Sequence, residues 1–363
     1  MIAQRKDDHV RLAVEQQQRH SGRNQFDEVS FVHHALAGID REDVSLATAF
    51  AGITWRVPLY INAMTGGSEK TGIINRDLAV AARETGVALA SGSMSAYFKD
   101  PDCADTFSVL RRENPDGFVI ANVNANASVD MALRAVDLLR ADALQIHLNT
   151  VQETVMPEGD RSFASWVAQI ERIAAGVGVP VIVKEVGFGL SRETVLLLDG
   201  LGVRVADLGG RGGTDFARIE NGRRDLADYA YLTGWGQSTA ACLLDAWDAP
   251  MPVLASGGVR NPLDVARALA LGASGVGASG TFLRTLLDDG VTALVERIST
   301  WLDQLAALLT LLGARTPADL ARCDLLIHGG LRAFCADRGI DPGPFARRST
   351  SFDAPYETTG STR

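Results

Sequence analysis

The chain lacks what several broad classes of protein require. No uninterrupted apolar stretch approaches the roughly 20 residues of a membrane helix. The opening residues, Met1 to His9, hold no apolar segment that reads as a secretory signal. Basic charge is scarce: 35 Lys and Arg stand against 44 Asp and Glu, a net charge of −9. That disfavours broad nucleic-acid binding, which rests on a basic surface, while leaving room for a local basic pocket. The four cysteines, Cys103, Cys242, Cys323 and Cys335, form neither a C-x-x-C pair nor a zinc spacing, so they read as reduced thiols without catalytic duty. There is no internal repeat, no interdomain linker, and no strand followed by G-x-G-x-x-G near the start, as a dinucleotide-binding sheet would carry. What remains is a cytoplasmic globular protein that binds neither nucleic acid nor membrane.

What is present is a large potential core and much glycine. Of 363 residues, 46% are apolar, and the 36 glycines cluster where apolar runs end, as tight turns beside a ligand do. Eight short β-rich runs recur: Leu59–Ala63, Val87–Ala90, Phe118–Ala121, Ala143–Leu148, Val181–Glu185, Val203–Leu208, Val253–Ala255 and Gly275–Gly277. Several are continuously apolar, as parallel strands covered on both faces are. Helical segments lie between them. Arg76–Glu84 offers Leu78, Ala81 and Ala82. Met131–Arg140 offers Leu133, Val136 and Leu139, and Phe163–Ala175 offers Val167, Ile170 and Ile173. Asn261-Pro262 opens another with Val265, Ala268 and Leu269 inward. Eight alternations predict an α/β fold, a (β/α)8 TIM barrel, with a doubly wound open sheet as the alternative. Residues 1–55 form an N-terminal arm and cap, and residues 56–345 the barrel with C-terminal helices. These include Val291–Leu312, stopped by Gly313 and followed by the Thr316-Pro317 helix start. Residues 346–363 read as a disordered tail.

Candidate chemistry falls at the carboxyl ends of the strands, where barrels build their sites. Ala63-Met64-Thr65-Gly66-Gly67-Ser68 ends strand one, Ser91-Gly92-Ser93 strand two and Asn122 strand three. On strand four a period of two puts Gln145, His147 and Asn149 on one face, with Gln152 and Glu153 at the mouth. Polar groups inside a barrel need partners or a ligand. Lys184 and Glu185 end strand five, and adjacent strand residues point to opposite faces. Gly209-Gly210-Arg211-Gly212-Gly213-Thr214 follows strand six and opens a polar run to Arg224 that reads as a mobile lid. Ser256-Gly257-Gly258-Val259 and Ala278-Ser279-Gly280-Thr281 follow strands seven and eight. Together they offer backbone amides to one phosphate, aided by a helix N-terminus.

In this order, these motifs resemble the type 2 isopentenyl-diphosphate isomerases, a flavin-dependent family. The likeness rests on Arg5-Lys6-Asp7-Asp8-His9, Ala63–Ser68, Gly92-Ser93-Met94, Gln145–Asn149, Gln152-Glu153, Val183–Gly189, Gly210–Thr214 and Ala255–Val259. It spans about residues 5 to 340. The resemblance implies an FMN-binding barrel that interconverts isopentenyl and dimethylallyl diphosphate, a double-bond shift in isoprenoid biosynthesis. Reduced FMN and Mg2+ would be needed, with NADPH or another donor reducing the flavin. Ala63, Met64, Thr65, Ser93, Asn122, Lys184, Thr214, Gly258, Val259, Ala278, Ser279 and Gly280 match flavin-contact positions. Arg5, Lys6, His9, His147, Asn149 and Gln152 match substrate positions, Gln152 also the catalytic one, and Glu153 the metal position. A homo-oligomer, tetramer or octamer, is implied as well. The sequence departs from the family twice. Gly209 stands where many relatives carry serine, which removes a hydroxyl contact. Met94-Ser95 stands where many read glutamine and arginine, which leaves more of the diphosphate to Arg5 and Lys6.

The residues suit that chemistry. Mg2+ binds through one or two carboxylates plus phosphate oxygens, and arginine suits bidentate phosphate contact. Shifting a double bond adds a proton at one carbon and removes one from another. A simple alkene is a poor base, so developing positive charge must be stabilised. Two other classes compete. A hydroxy-acid oxidase on this fold expects a histidine near strand seven, where the chain has Trp247, Asp248 and Pro250. A nucleotide dehydrogenase expects a loop cysteine, and Gly209–Thr214 has none. A flavin-binding sensor or scaffold predicts bound FMN without turnover, and gives no reason for the polar cluster at His147–Glu153.

Overall fold

The computed structural model describes residues 10–12, 16, 24–224 and 226–349. Arg5, Lys6 and His9 lie outside the described residues, as do residues 350–363 of the expected tail. Its first residues, 346–349, are instead tied down, Arg348 donating to the Cys323 carbonyl and the Arg348 and Ser349 N–H groups to Asp324. The strands are β1 Val29–Phe31, β2 Thr48–Phe50, β3 Ile53–Trp55, β4 Leu59–Ile61, β5 Ala88–Ala90, β6 Val119–Asn124, β7 Ala143–Leu148, β8 Val181–Glu185, β9 Val205–Asp207, β10 Val253–Ser256, β11 Gly275–Ala278 and β12 Leu325–Ile327. β4 to β11 pair in parallel and close into one barrel, with Gly277 opposite Tyr60 at the seam. All eight sequence runs are its staves, and closure excludes the open doubly wound sheet.

Strand alternation sorts the side chains. Outward residues such as Leu89, Val119, Leu144, Ile146, Val181 and Val183 pack into the layer between barrel and helices. Inward residues Tyr60, Ala88, Ala90, Ile120, Ala143, Ile182, Val205 and Leu254 fill the interior. The amino end of the barrel is plugged by the β2–β3 hairpin, whose turn residues Ala51 and Gly52 take φ of 49° and 79°. Two successive positive φ values make the tight turn whose twist matches the strands it joins. The turn delivers Trp55 against Phe50, Tyr60 and Phe118, at centroid distances of 5.0, 5.3 and 5.8 Å. Gly275 and Gly277 leave room for this: a Cβ there would lie 2.6 Å from the Trp55 ring and 2.5 Å from the Tyr60 ring. A second ribbon, β1 with β12, ties the segment before the barrel to the chain after it. The Glu28 carboxylate strengthens this tie by accepting the Leu331 N–H at 2.5 Å.

The helices form where expected but turn differently in two places. Helix Val129–Leu139 buries Ala132, Ala135 and Leu139 and leaves Leu133 39% exposed. Helix Trp166–Gly176 buries Trp166, Ile170 and Ile173 and leaves Val167 44% exposed. In each case the buried set follows the i, i+3, i+4, i+7 stripe. The apolar residue one position past the start of the stripe, Leu133 or Val167, is left outside. Helix Glu69–Thr85 buries Leu78, Ala81 and Ala82 as expected, and Asn261 caps helix Pro262–Ala270. A first helix runs from Gly280, Gly290 (φ 87°) breaks it, and the expected helix Val291–Leu312 follows and ends at Gly313 in the left-handed region. After Thr316 the chain makes a 3-10 helix, Pro317–Arg322. No helix among the described residues is long and apolar enough to cross a membrane.

Replacing Trp55 by Ala is expected to lower the unfolding free energy by about 3–5 kcal/mol, the usual cost of emptying a buried aromatic site. Denaturant titration measures this, and a change under about 1 kcal/mol would show that the hairpin does not plug the barrel.

Candidate active site

Above the apolar floor, the inward positions of the barrel turn polar. Asp207, at the end of β9, has no solvent exposure. Its carboxylate accepts the Tyr60 hydroxyl at 2.5 Å and the Ser256 hydroxyl at 2.6 Å, and the Lys184 ammonium lies 3.5 Å away. Lys184 Nζ also donates to Ser256 Oγ at 2.9 Å and to the Glu185 carbonyl at 2.8 Å. A buried charge is tolerated only when paired and hydrogen-bonded, and this pair is both. Burial, reinforced by the Asp207 charge, holds the Tyr60 phenol well above its usual value, so it stays a donor. Glu185 points the other way, as alternation requires. Its carboxylate gathers the N–H groups of Gly187, Phe188 and Gly189 at 2.7, 2.5 and 3.0 Å and so folds the loop after β8. Burial pushes Glu185 up to about 7 against the pull of those three donors.

A second polar cluster sits at the ends of β6 and β7. Asn122 donates to the Ser91 carbonyl at 3.1 Å, which turns its own carbonyl toward His147 Nδ1 at 3.0 Å. The ring must therefore carry its hydrogen on Nδ1. Helix Thr150–Val155 begins just after β7 and carries Gln152 and Glu153. Asn149 donates to Gln152 Oε1 at 3.3 Å and to Glu153 Oε1 at 2.9 Å. Gln152 Nε2 donates to Glu220 at 3.0 Å, and Glu220 is paired with Arg223. Both ends of the Gln152 amide are thus assigned. Glu153 Oε2 accepts the Asp160 N–H at 2.7 Å.

The glycine loops approach one another backbone to backbone. Gly257 and Gly258 take φ of 99° and 76°, and a Cβ on Gly257 would meet the Gly210 carbonyl at 2.0 Å. Only glycine permits that conformation and that contact together. Asn24, from the segment before β1, donates to the Gly258 carbonyl at 2.6 Å and pins the loop from outside. Arg260 is held by two carboxylates, Asp27 and Asp264, so the loop offers an incoming anion its backbone N–H groups and the start of the helix at Gly280. The Gly209 departure has a local reason: a Cβ there would lie 1.8 Å from the Glu185 carbonyl.

These pieces surround one cavity of about 1550 Å3 at the carboxyl end of the barrel. Its lining includes Ala63, Met64, Thr65, Ser93, Asn122, His147, Asn149, Gln152, Glu153, Lys184, Thr214, Gly258, Val259, Ala278, Ser279 and Gly280, which is every described residue matched to flavin, substrate or metal, whereas Ser91, Gln145 and Glu185 lie outside it. Two lining atoms, Thr65 Oγ1 and Asn149 Oδ1, are buried without a hydrogen-bond partner, as are Ser91 Oγ and both polar atoms of Gln145. Sequence reasoning missed Tyr60, Asp207 and Glu220. An aspartate at the end of the apolar stretch Val205-Ala206 was a usable signal. Glu220 had none, because it reaches Gln152 across 68 residues. The expected lid contains helix Phe216–Gly222, which carries Glu220. Among the described residues, no three His, Cys, Asp or Glu side chains group around a metal position, so a cation here would depend on Glu153 and on ligand oxygens.

Comparison with known proteins agrees with this arrangement. A sequence-family profile described as FMN-dependent dehydrogenase matches residues 104–326. Over 361 residues the chain is 78% identical to an isopentenyl-diphosphate delta-isomerase of Kitasatospora griseola, with 99% of each chain covered. Identity to the protein of the same name from Latilactobacillus sakei is 46% over 338 residues, 93% of this chain and 96% of that one. Among solved structures, a mutant flavocytochrome b2 with benzoylformate aligns at TM-score 0.64 and 20% identity, covering 97% of this chain and 86% of its own. A mandelate oxidase variant with 2-hydroxy-phenylacetamide aligns at 0.59 and 17%, covering 85% and 89%. Those two likenesses concern the fold.

Glu185 gives a pH test. Its unfolded value is near 4.5 and its folded value about 7. The folded state holds the proton longer, so this contribution to stability is complete below about 4.5 and is lost as pH rises through about 7, roughly 3 kcal/mol in all. The thermal midpoint of wild type relative to Glu185→Gln is expected to fall steadily between pH 5 and 8. Parallel profiles would show that Glu185 is already ionised at pH 5.

Proposed function

The chain belongs to the isopentenyl-diphosphate delta-isomerases, type 2, and from that premise we propose that it interconverts isopentenyl and dimethylallyl diphosphate with reduced FMN and Mg2+, NADPH serving as reductant. One observation carries the reading. Residues from all eight strand ends face one cavity that joins an amide-lined anion cradle to the Asn149–Gln152–Glu153 cluster. A flat cofactor with a phosphate tail suits such a cavity. The glycine loops after β9 and β10 pack backbone to backbone where a Cβ would clash, and Thr65 Oγ1 supplies an orphan polar atom. Ala63, Met64, Thr65, Ser93, Asn122, Lys184 and Thr214 would hold the ring. Gly258, Val259, Ala278, Ser279 and Gly280 would hold the phosphate.

When bound and reduced, FMN supplies the acid and base that shift the double bond. The protein's share is to bind, orient and exclude water. Lys184, paired with Asp207, would hold negative charge on the cofactor. Gln152 is a neutral amide and no acid. With Nε2 committed to Glu220 and Oε1 to Asn149 it would orient the reacting end. His147 and Asn149 would lie against the diphosphate, Asn149 by turning its Nδ2 away from Gln152 or Glu153. Glu153 would supply a carboxylate to Mg2+, which binds through one or two carboxylates plus phosphate oxygens. Arg5, Lys6 and His9 would bring further positive charge from outside the described residues. A cytoplasmic homo-oligomer belongs to the same proposal. Leu226, Tyr231 and Trp235, exposed on the segment after β9, offer it apolar surface.

Conversion of isopentenyl diphosphate should require FMN, a reductant and Mg2+, each omission abolishing it. Turnover without reduced flavin would overturn the cofactor assignment. Protein that purifies yellow and does not isomerise would point to an oxidoreductase. Glu153→Gln should lower kcat/KM at least about a hundredfold at ordinary Mg2+, since it removes the only protein carboxylate assigned to the metal. Gly257→Ala should purify with under about a tenth of the wild-type FMN, because its Cβ and the Gly210 carbonyl would compete for one place; full FMN content would show that the loop can give way.

A further inference from the structure

Three Lys or Arg side chains line the cavity among the described residues: Lys99, Lys184 and Arg260. Two are already neutralised. Lys184 is buried against Asp207, and Arg260 is clamped by Asp27 and Asp264. Among the described residues the Lys99 ammonium has no carboxylate partner and no hydrogen bond, and Lys99 is exposed at the rim. We propose that Lys99 is a diphosphate-binding residue, the cation that receives the substrate's anionic end on the β5 side of the cavity, opposite in role to Glu153. The proposal rests on the isomerase reading above and adds a residue to it.

The local fold aims Lys99 at the cavity and keeps it there. It ends the one-turn helix Ser95–Lys99, four residues after Ser95 and hence on the same face. Ser95 and Lys99 both line the cavity, and Ser95 Oγ is tied to Ser93 Oγ at 2.9 Å. The opposite face of the helix is anchored. Ala96 is buried, so tightly that a Cβ on Gly67 would come within 2.5 Å of it. The Arg134 guanidinium lies 5.3 and 5.7 Å above the Tyr97 and Phe98 rings. An ammonium held at the rim without a partner meets a diphosphate with little desolvation cost. In a protein of net charge −9, with Glu153, Glu158 and Asp160 lining the same cavity, an uncompensated lysine there offsets local repulsion of an anionic substrate.

The test uses FMN-loaded enzyme and the variants Lys99→Gln, Lys99→Ala and Lys99→Arg. Inorganic pyrophosphate with Mg2+ is titrated by calorimetry, a readout independent of turnover. Both neutral variants are expected to weaken binding at least about tenfold, the scale of a lost charge-assisted hydrogen bond, and Lys99→Arg to stay within about threefold of wild type. In the assay, KM for isopentenyl diphosphate should rise by a similar factor in the neutral variants while kcat moves less than about threefold. Equal FMN content and thermal midpoint separate a lost contact from misfolding. Pyrophosphate affinity unchanged in both neutral variants overturns the proposal, as does a loss in Lys99→Arg equal to theirs. Wild-type enzyme that binds pyrophosphate but does not isomerise overturns the isomerase reading instead, and Lys99 is then judged on the pyrophosphate titration alone.

Discussion

The polar layer above the barrel's apolar floor is organised around one buried carboxylate. Asp207 is sealed from water and must be partnered, because an isolated ion in the interior costs several kcal/mol. Its partners come from other staves: Tyr60 on β4, Lys184 on β8 and Ser256 on β10. The network therefore spans the barrel from wall to wall. It also divides the interior. Below it the fill is aromatic and aliphatic, capped by the Trp55 plug. Above it the strand ends are free to carry amides, hydroxyls and glycine. The same alternation that sends Lys184 inward sends Glu185 outward, where its carboxylate builds the next loop from three N–H donors.

The glycine cradle depends on that platform. Gly210 and Gly257 touch backbone to backbone, which requires β9 and β10 to end in a fixed relation, and Asp207–Ser256 is the bond that sets it. Asn24 and the Asp27–Arg260–Asp264 cluster brace the cradle from the outside. Because Arg260 spends its charge on two carboxylates, the anion seat is made of peptide N–H groups. Such a seat suits a phosphate that stays.

The fold was legible because parallel strands buried on both faces write continuous apolar runs, and all eight were found. Loops at strand ends were legible for a related reason: clustered glycine marks backbone that must come close to something. The helix faces at Leu133 and Val167 were each misjudged by one residue: the stripes that pack run through Ala132, Ala135 and Leu139 and through Trp166, Ile170 and Ile173. Tyr60–Asp207 was not legible, since it joins residues 147 positions apart and only closure brings them together. Glu220 was hidden for the same reason, inside a polar run that reads as loop.

Why such a barrel should isomerise rather than oxidise follows from the site and not from the fold. Structures of flavocytochrome b2 and mandelate oxidase share the architecture at about 20% identity or below, and a shared barrel hosts many chemistries. What this chain places at the cavity is a carboxamide bonded at both ends, to Asn149 and to Glu220, with Glu153 next to it. A neutral amide neither takes a proton nor gives one; on the proposed reading it would hold a reacting carbon in register. An oxidase of hydroxy acids needs a group that accepts the substrate's proton, and the segment before β10 offers Trp247, Asp248 and Pro250 instead of a histidine. The arrangement fits a reaction in which the protein steers and the proton transfers belong to the bound group. Gln152 would then gain its importance from its partners, Glu220 and Asn149, which decide where its donor and its acceptor point.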